Sequence, residues 1–193
     1  SASTYRIFSR QFCNFVFPEG IERPMPTDGE KVDLKNELDE DILDSPNKDE
    51  LQANPDGRYD LEDVEKSMPH MDDTYESRLQ TALVSLKQNS SKIFTKEHLL
   101  KYSPKFLHML ENIEDSENSG LHLIYSQFRT LEGIGVFKLV LEENDFVHFK
   151  LMKNELGVYI AAINPEDIGK PAFALYTGTE SEEEKEIIRS IYN

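Results

Sequence analysis

The sequence has 193 residues, with 37 Asp or Glu against 21 Lys or Arg and a formal net charge of -16. That surplus argues against strong nonspecific attraction to nucleic acid, although a local basic surface stays open. A single cysteine, Cys13, excludes an internal disulfide framework and fits a reducing compartment, and no apolar run nears the roughly 18 residues of a membrane span, so an intracellular protein with no membrane partner is expected.

The charge is not spread evenly. Between Glu19 and Glu76 there are 20 acidic against 6 basic residues, a balance of -14, which leaves about -2 for the remainder. Composition therefore divides the chain into an apolar segment over 1-18, an acidic insertion or linker over 19-73, and a globular part over 74-193. The acidic segment has too little apolar surface to offset the entropy of ordering it and is expected to be disordered.

In chain order, SASTYRIFSRQFCNFVFP carries Tyr5, Ile7, Phe8, Phe12, Phe15, Val16 and Phe17, too many apolar side chains for a solvated tail. It is expected to pack, with Pro18 marking its end. The turn-rich stretches PMPTDGE, DSPNKDE and NPDGRYD follow, with at most a short helical tendency over 32–42. From Thr74 onward, the spacing of Tyr75, Leu79, Leu83 and Leu86 predicts an amphipathic helix ending near Gln88-Asn89. Thr95 is placed to cap a helix over 96–101. Ser103 is placed to cap one that starts with Pro104 and turns Phe106, Leu107, Leu110 and Ile113 to one face.

LHLIYS, over 121–126, reads as a buried parallel strand. LEGIGVFKLVLEENDF reads as a helix with Ile134, Phe137 and Leu141 on one face, ended by Asn144-Asp145. VHFKLMK and GVYIAAI flank Asn154-Glu155 as an inserted hairpin, AFALYT reads as the next core strand, and the last helix begins after Thr179. Its capping box is either Thr179 with Glu182 or Ser181 with Glu184. Strand, helix, insertion, strand, helix is the repeating order of a parallel α/β sheet. Leu123, Ile124, Phe137, Leu141, Leu175, Ile188 and Ile191 are assigned to its core.

The motifs of common chemistries are incomplete. Gly133-Ile134-Gly135 has Lys138 where a dinucleotide fingerprint needs its third glycine, and Gly169-Lys170 is followed by Pro171 and has Asn164 at the first glycine position of a P-loop. His70, His98, His108, His122 and His148 show no metal-ligand spacing. Asp60-Leu61-Glu62-Asp63 reads as a solvated charge run, and Ser126 lacks evident His and Asp partners. The glutamates at the start of the last helix suit its dipole and argue against a phosphate cradle there.

The stretches YRIFSRQFCNFVFP, SPKFLHMLENI, HLIYSQF and YTGTESEEEKEIIRSIYN, in that order, resemble superfamily-two helicases and translocases of the Swi/Snf type. The likeness is to the segment between the lobes and the first half of the second motor lobe, most of all in giant and other large cytoplasmic DNA viruses. It covers residues 1–18 and about 100–193. The resemblance implies a partial RecA-like (P-loop NTPase-type) parallel sheet with flanking helices. It also implies a piece of a larger polypeptide, in which Ser126, Gln127, Phe128, Arg129, Gly178 and Thr179 hold a DNA or RNA backbone without reading bases.

On that reading the first motor lobe of the same polypeptide is a partner. ATP and Mg2+ belong to the full-length enzyme, and this chain has no cofactor of its own. The phosphate loop, acidic box and arginine-bearing motif that hydrolysis needs lie outside the chain, which is expected to hydrolyse nothing alone. The location implied is the virion or the host cytoplasm. Two other readings stand beside it. One is a non-enzymatic interaction module whose acidic segment recruits a basic partner. The other is a small standalone α/β enzyme, for which no catalytic constellation assembles.

Overall fold

The structure, a computed structural model, describes residues 10–25, 74–128, 131–154, 157, 159–162, 164–176 and 181–192. Of the acidic segment over 19–73, expected to be disordered, residues 19–25 are described and pack on the core through Ile21 and Arg23, while 26–73, with the helical tendency and the Asp60-Leu61-Glu62-Asp63 run, lie outside the described residues. So do Arg129, Gly178 and Thr179.

The helices form where local chemistry prescribes them. Helix α1 (Tyr75–Gln88) starts at Thr74, whose hydroxyl accepts from the Ser77 amide at 3.2 Å, and buries Tyr75, Leu79, Leu83 and Leu86. That spacing turns one face to the core. After the single turn of α2 (Ser90–Ile93) comes α3 (Lys96–Tyr102), where the Thr95 hydroxyl engages His98 Nδ1 at 2.8 Å. The cap bond expected of Thr95 is therefore not made. In α4 (Pro104–Glu114) the Ser103 hydroxyl accepts from the Phe106 amide at 3.1 Å, and Phe106 and Leu110 are buried. A proline in the first turn loses nothing there, because that amide has no partner within the helix.

Helix α5 (Ile134–Glu143) occupies the centre. Val136 through Leu141 are all buried, which requires neighbours on every side. Lys138 is included in that run. Its aliphatic stem is covered, while its ammonium reaches the Glu142 carboxylate 3.6 Å away. The helix ends at Asn144 and Asp145, the latter at φ 66°, with the Phe146 amide closing back on the Leu141 carbonyl at 3.0 Å. Asn144 also donates to the Phe94 carbonyl at 2.9 Å, tying α5 to the end of α2.

Residues 10–25 join this body. Phe15 is buried in the same cluster as α1 and α5, with ring centroids 5.3 Å from Phe17 and 5.8 Å from Phe94. Burying one such ring contributes about 2–3 kcal/mol. The Val16 amide donates to the Tyr102 carbonyl at 2.8 Å, and the Ser103 hydroxyl donates to the Asn14 carbonyl at 2.5 Å. Ser103 thus caps α4 and anchors the N-terminal segment with one oxygen.

Two small sheets follow α5. Strand β1 (Val147–His148) pairs in parallel with β4 (Ala172–Phe173), Val147 opposite Ala172 and His148 opposite Phe173. The His148 ring stacks on Phe173 at 5.1 Å. Between them lies the expected hairpin, β2 (Lys150–Lys153) antiparallel to β3 (Tyr159–Ala162). Helix α6 (Glu182–Tyr192) is capped by Ser181 and Glu184. The Glu184 amide donates to the Ser181 hydroxyl at 3.3 Å, and the Ser181 amide donates to the Glu184 carboxylate at 2.8 Å. This is one of the two capping boxes open in the sequence; Thr179, of the other, lies outside the described residues.

The architecture is thus mixed helix and strand with a small parallel pair. Besides the Thr95 cap, the expected strand is overturned: residues 121–126 form no strand. They run extended with Leu121, Leu123 and Tyr125 exposed, Leu123 at 98%, and only Ile124 packs against the core. Leu123 is therefore not a core residue. A strand needs a neighbour for its amides and carbonyls, and among the described residues β4 pairs with β1 instead. Phe137 and Leu141 are buried as expected, while Leu175 and Ile188 are only partly covered.

Candidate nucleic-acid interface

The extended run leads into a turn at residues 126–128, which holds three of the residues singled out in the sequence. The Ser126 hydroxyl accepts from the Phe128 amide at 3.2 Å, a turn that Ser side chains favour. Ser126 and Gln127 are half-buried. Phe128 is only 4% exposed, and the Arg10 guanidinium sits 5.8 Å from its ring centroid. Its ring is no stacking platform for a base. Arg129, Gly178 and Thr179 lie outside the described residues, so no geometry joins them to this loop.

The end of the loop is packed against its beginning. The Ile134 amide donates to the Phe128 carbonyl at 3.0 Å. A Cβ placed on Gly133 would lie 2.0 Å from that same oxygen, so only glycine fits. Beside it, Glu132 is 0% exposed and adopts φ 47°, a left-handed conformation that costs a residue other than glycine about 1–2 kcal/mol.

What holds Glu132 comes from the N-terminal segment. Arg23 Nε donates to one carboxylate oxygen of Glu132, and Arg23 Nη2 donates to the other at 3.2 Å and to Gln11 Oε1 at 2.8 Å. Asn14 Nδ2 donates to the Glu132 carbonyl at 2.9 Å, and Lys105 Nζ donates to Asn14 Oδ1 at 2.7 Å. Gln11 is itself buried, and its amide nitrogen has no acceptor. None of Gln11, Asn14, Arg23 and Glu132 stood out in the sequence reading. The available signal was a lone glutamate inside the apolar run Leu131 to Val136, where a buried carboxylate requires a partner.

Away from this loop, several ionisable groups have displaced titration. Burial raises the Glu142 carboxyl above its usual range, against the lowering effect of Lys138. A hydrogen bond from Lys170 lowers Asp167, and one from Lys185 lowers Glu182. A shallow hollow beside β1 and β4 is lined by Val147, Phe149, Ile168 and Ala172, with the mutually paired Asp167 and Lys170, 2.7 Å apart, at its edge. It contains no acid-base pair poised for chemistry. Among the described residues no three His, Cys, Asp or Glu side chains converge as a metal site requires, and no helix is long and apolar enough to cross a membrane.

No protein-family model, curated protein or solved structure matches the chain.

Proposed function

We propose that the chain is part of an ATP-dependent helicase or translocase, contributing the inter-lobe segment and the first half of a RecA-like second motor lobe. In this reading the loop after residue 125 rests on the backbone of one DNA or RNA strand. Ser126 and Gln127 offer hydroxyl and amide groups to phosphate oxygens, and Arg129 adds positive charge. Phe128 acts from beneath, its backbone fixing the turn while its ring is buried. Hydrolysis belongs to groups elsewhere in the parent polypeptide, and closure of its two lobes moves this loop along the strand.

One observation carries the reading. The stretches that bear the resemblance are far apart in sequence, yet they touch: Asn14 donates to Glu132, 118 positions away, and Arg10 lies over Phe128. Independent segments joined by a linker would have no reason to share a buried contact at that loop.

The test uses fluorescence anisotropy with a labelled single-stranded oligonucleotide at low salt. The unaltered chain is expected to bind weakly, given its charge of -16, with binding that falls as salt rises. The double variant Ser126→Ala/Gln127→Ala is expected to bind about five- to tenfold less tightly, the loss of one or two phosphate contacts. No binding at 20 mM salt to either DNA or RNA sinks the proposal. Capture of a basic protein by the unaltered chain that disappears when residues 27–72 are replaced by a neutral linker, with no oligonucleotide bound, favours the interaction module instead.

A further inference from the structure

A buried ion pair is an expensive way to join two segments. Desolvating both charges consumes most of what their attraction returns, so apolar residues of similar size would hold the segments as well. What the charges add is registry: a bidentate guanidinium accepts a carboxylate in one geometry.

Arg23 and Glu132 have that geometry. The Arg23 side chain is nearly buried and spans both carboxylate oxygens of Glu132, with Gln11 and the Pro24 carbonyl taking further donors. Glu132 is fixed by the pair in the left-handed region, and its carbonyl is held separately by Asn14. Gly133 follows at once, pressed against Phe128. A shift of Arg23 therefore displaces Glu132, and through Gly133 the carbonyl of Phe128 and the turn that Ser126 makes with it.

We propose that Arg23 and Glu132 are positioning residues, a latch through which residues 10–25 hold residues 126–128 against 131–133 and so set their grip on a nucleic-acid backbone. The proposal rests on the functional reading above. It makes residues 10–25, the end of the inter-lobe segment and the first residues of the acidic insertion, an active part of nucleic-acid binding. When lobe motion pulls on that segment, the latch transmits the pull to the loop. Gln11, buried with an amide proton unmatched, leaves the network incompletely satisfied and thus capable of a second arrangement.

The experiment compares the unaltered chain, Arg23→Lys, and the apolar double variant Arg23→Met/Glu132→Leu. Each is followed by hydrogen exchange and by affinity for a labelled single-stranded oligonucleotide. In the double variant, exchange over 126–133 is expected to rise about tenfold while α1 and α5 stay within about twofold, with oligonucleotide affinity falling about fivefold or more. Arg23→Lys, which keeps the charge but not the fork, is expected to fall between the two.

Unchanged exchange over 126–133 with unchanged affinity overturns the latch and leaves the functional reading standing. Exchange that rises uniformly across α1, α5 and the loop marks a structural role only and overturns it too. An unaltered chain that binds no oligonucleotide overturns the functional reading, and the positioning role with it, even if the variants loosen the loop.

Discussion

At Gly133 the backbone passes so close to Phe128 that a single methyl group has no place to go. The obstructing atom is a carbonyl oxygen held by the Ile134 amide at 3.0 Å, and it cannot rotate away as a side chain would. Gly133→Ala is therefore expected to destabilise the fold by about 3 kcal/mol or more, the upper end for an overpacked site. A shift in the urea midpoint at unchanged slope measures it. A loss below about 1 kcal/mol would mean that the loop yields easily. The glycine was visible in the sequence only as part of a failed dinucleotide fingerprint. Its real constraint comes from a contact five residues back and from a buried pair spanning 109 positions, and no local pattern reports either.

Helices proved readable because their signals are local. Thr74, Ser103 and the pair Ser181-Glu184 cap within three residues, and the core face of α1 follows from spacing alone. Strands proved less readable. A short apolar run states that a segment favours extension, not which neighbour will pair with it, so LHLIYS reads as the parallel core strand and VHFKLMK only as part of the hairpin. Instead the first two residues of VHFKLMK, Val147 and His148, are the partner of Ala172 and Phe173. Element-scale electrostatics also gives a prediction, at α5. Burial raises the Glu142 carboxyl, so the folded state holds a proton that the unfolded state releases at its ordinary value of 4.5. Its contribution to stability is then most favourable at and below that value and declines as pH rises through the elevated folded value. Glu142→Gln removes that decline. Urea unfolding from pH 4.5 upward is expected to show the variant gaining on the parent chain as pH increases, and a constant difference would refute the assignment. Asp167 and Glu182, both lowered by lysine partners, act with the opposite sign: their contribution is present at neutral pH and lost on acidification below 3.8 and 4.5.

At the scale of the whole molecule, the acidic stretch leaves the core at Met25 and returns at α1, and these two points adjoin. Arg78 Nη2 of α1 donates to the Met25 carbonyl at 3.2 Å. Closing a segment whose ends already meet has an entropic cost that grows with its length. Replacing residues 27–72 with a Gly/Ser linker roughly an eighth as long is expected to stabilise the core by about 2 kcal/mol, while unfolding stays cooperative. Thermal unfolding checks this, and a loss of cooperativity would show that the acidic stretch packs on the core. The same substitution would remove most of the negative charge, which matters for another feature. The extended run with Leu121, Leu123 and Tyr125 in solvent is an unguarded adhesive strip, and charge repulsion between molecules keeps such strips apart. Near the sequence pI of about 4.7 that repulsion vanishes. The colloidal lifetime of the protein is therefore set by its acidic stretch, which protects a strip it need never touch.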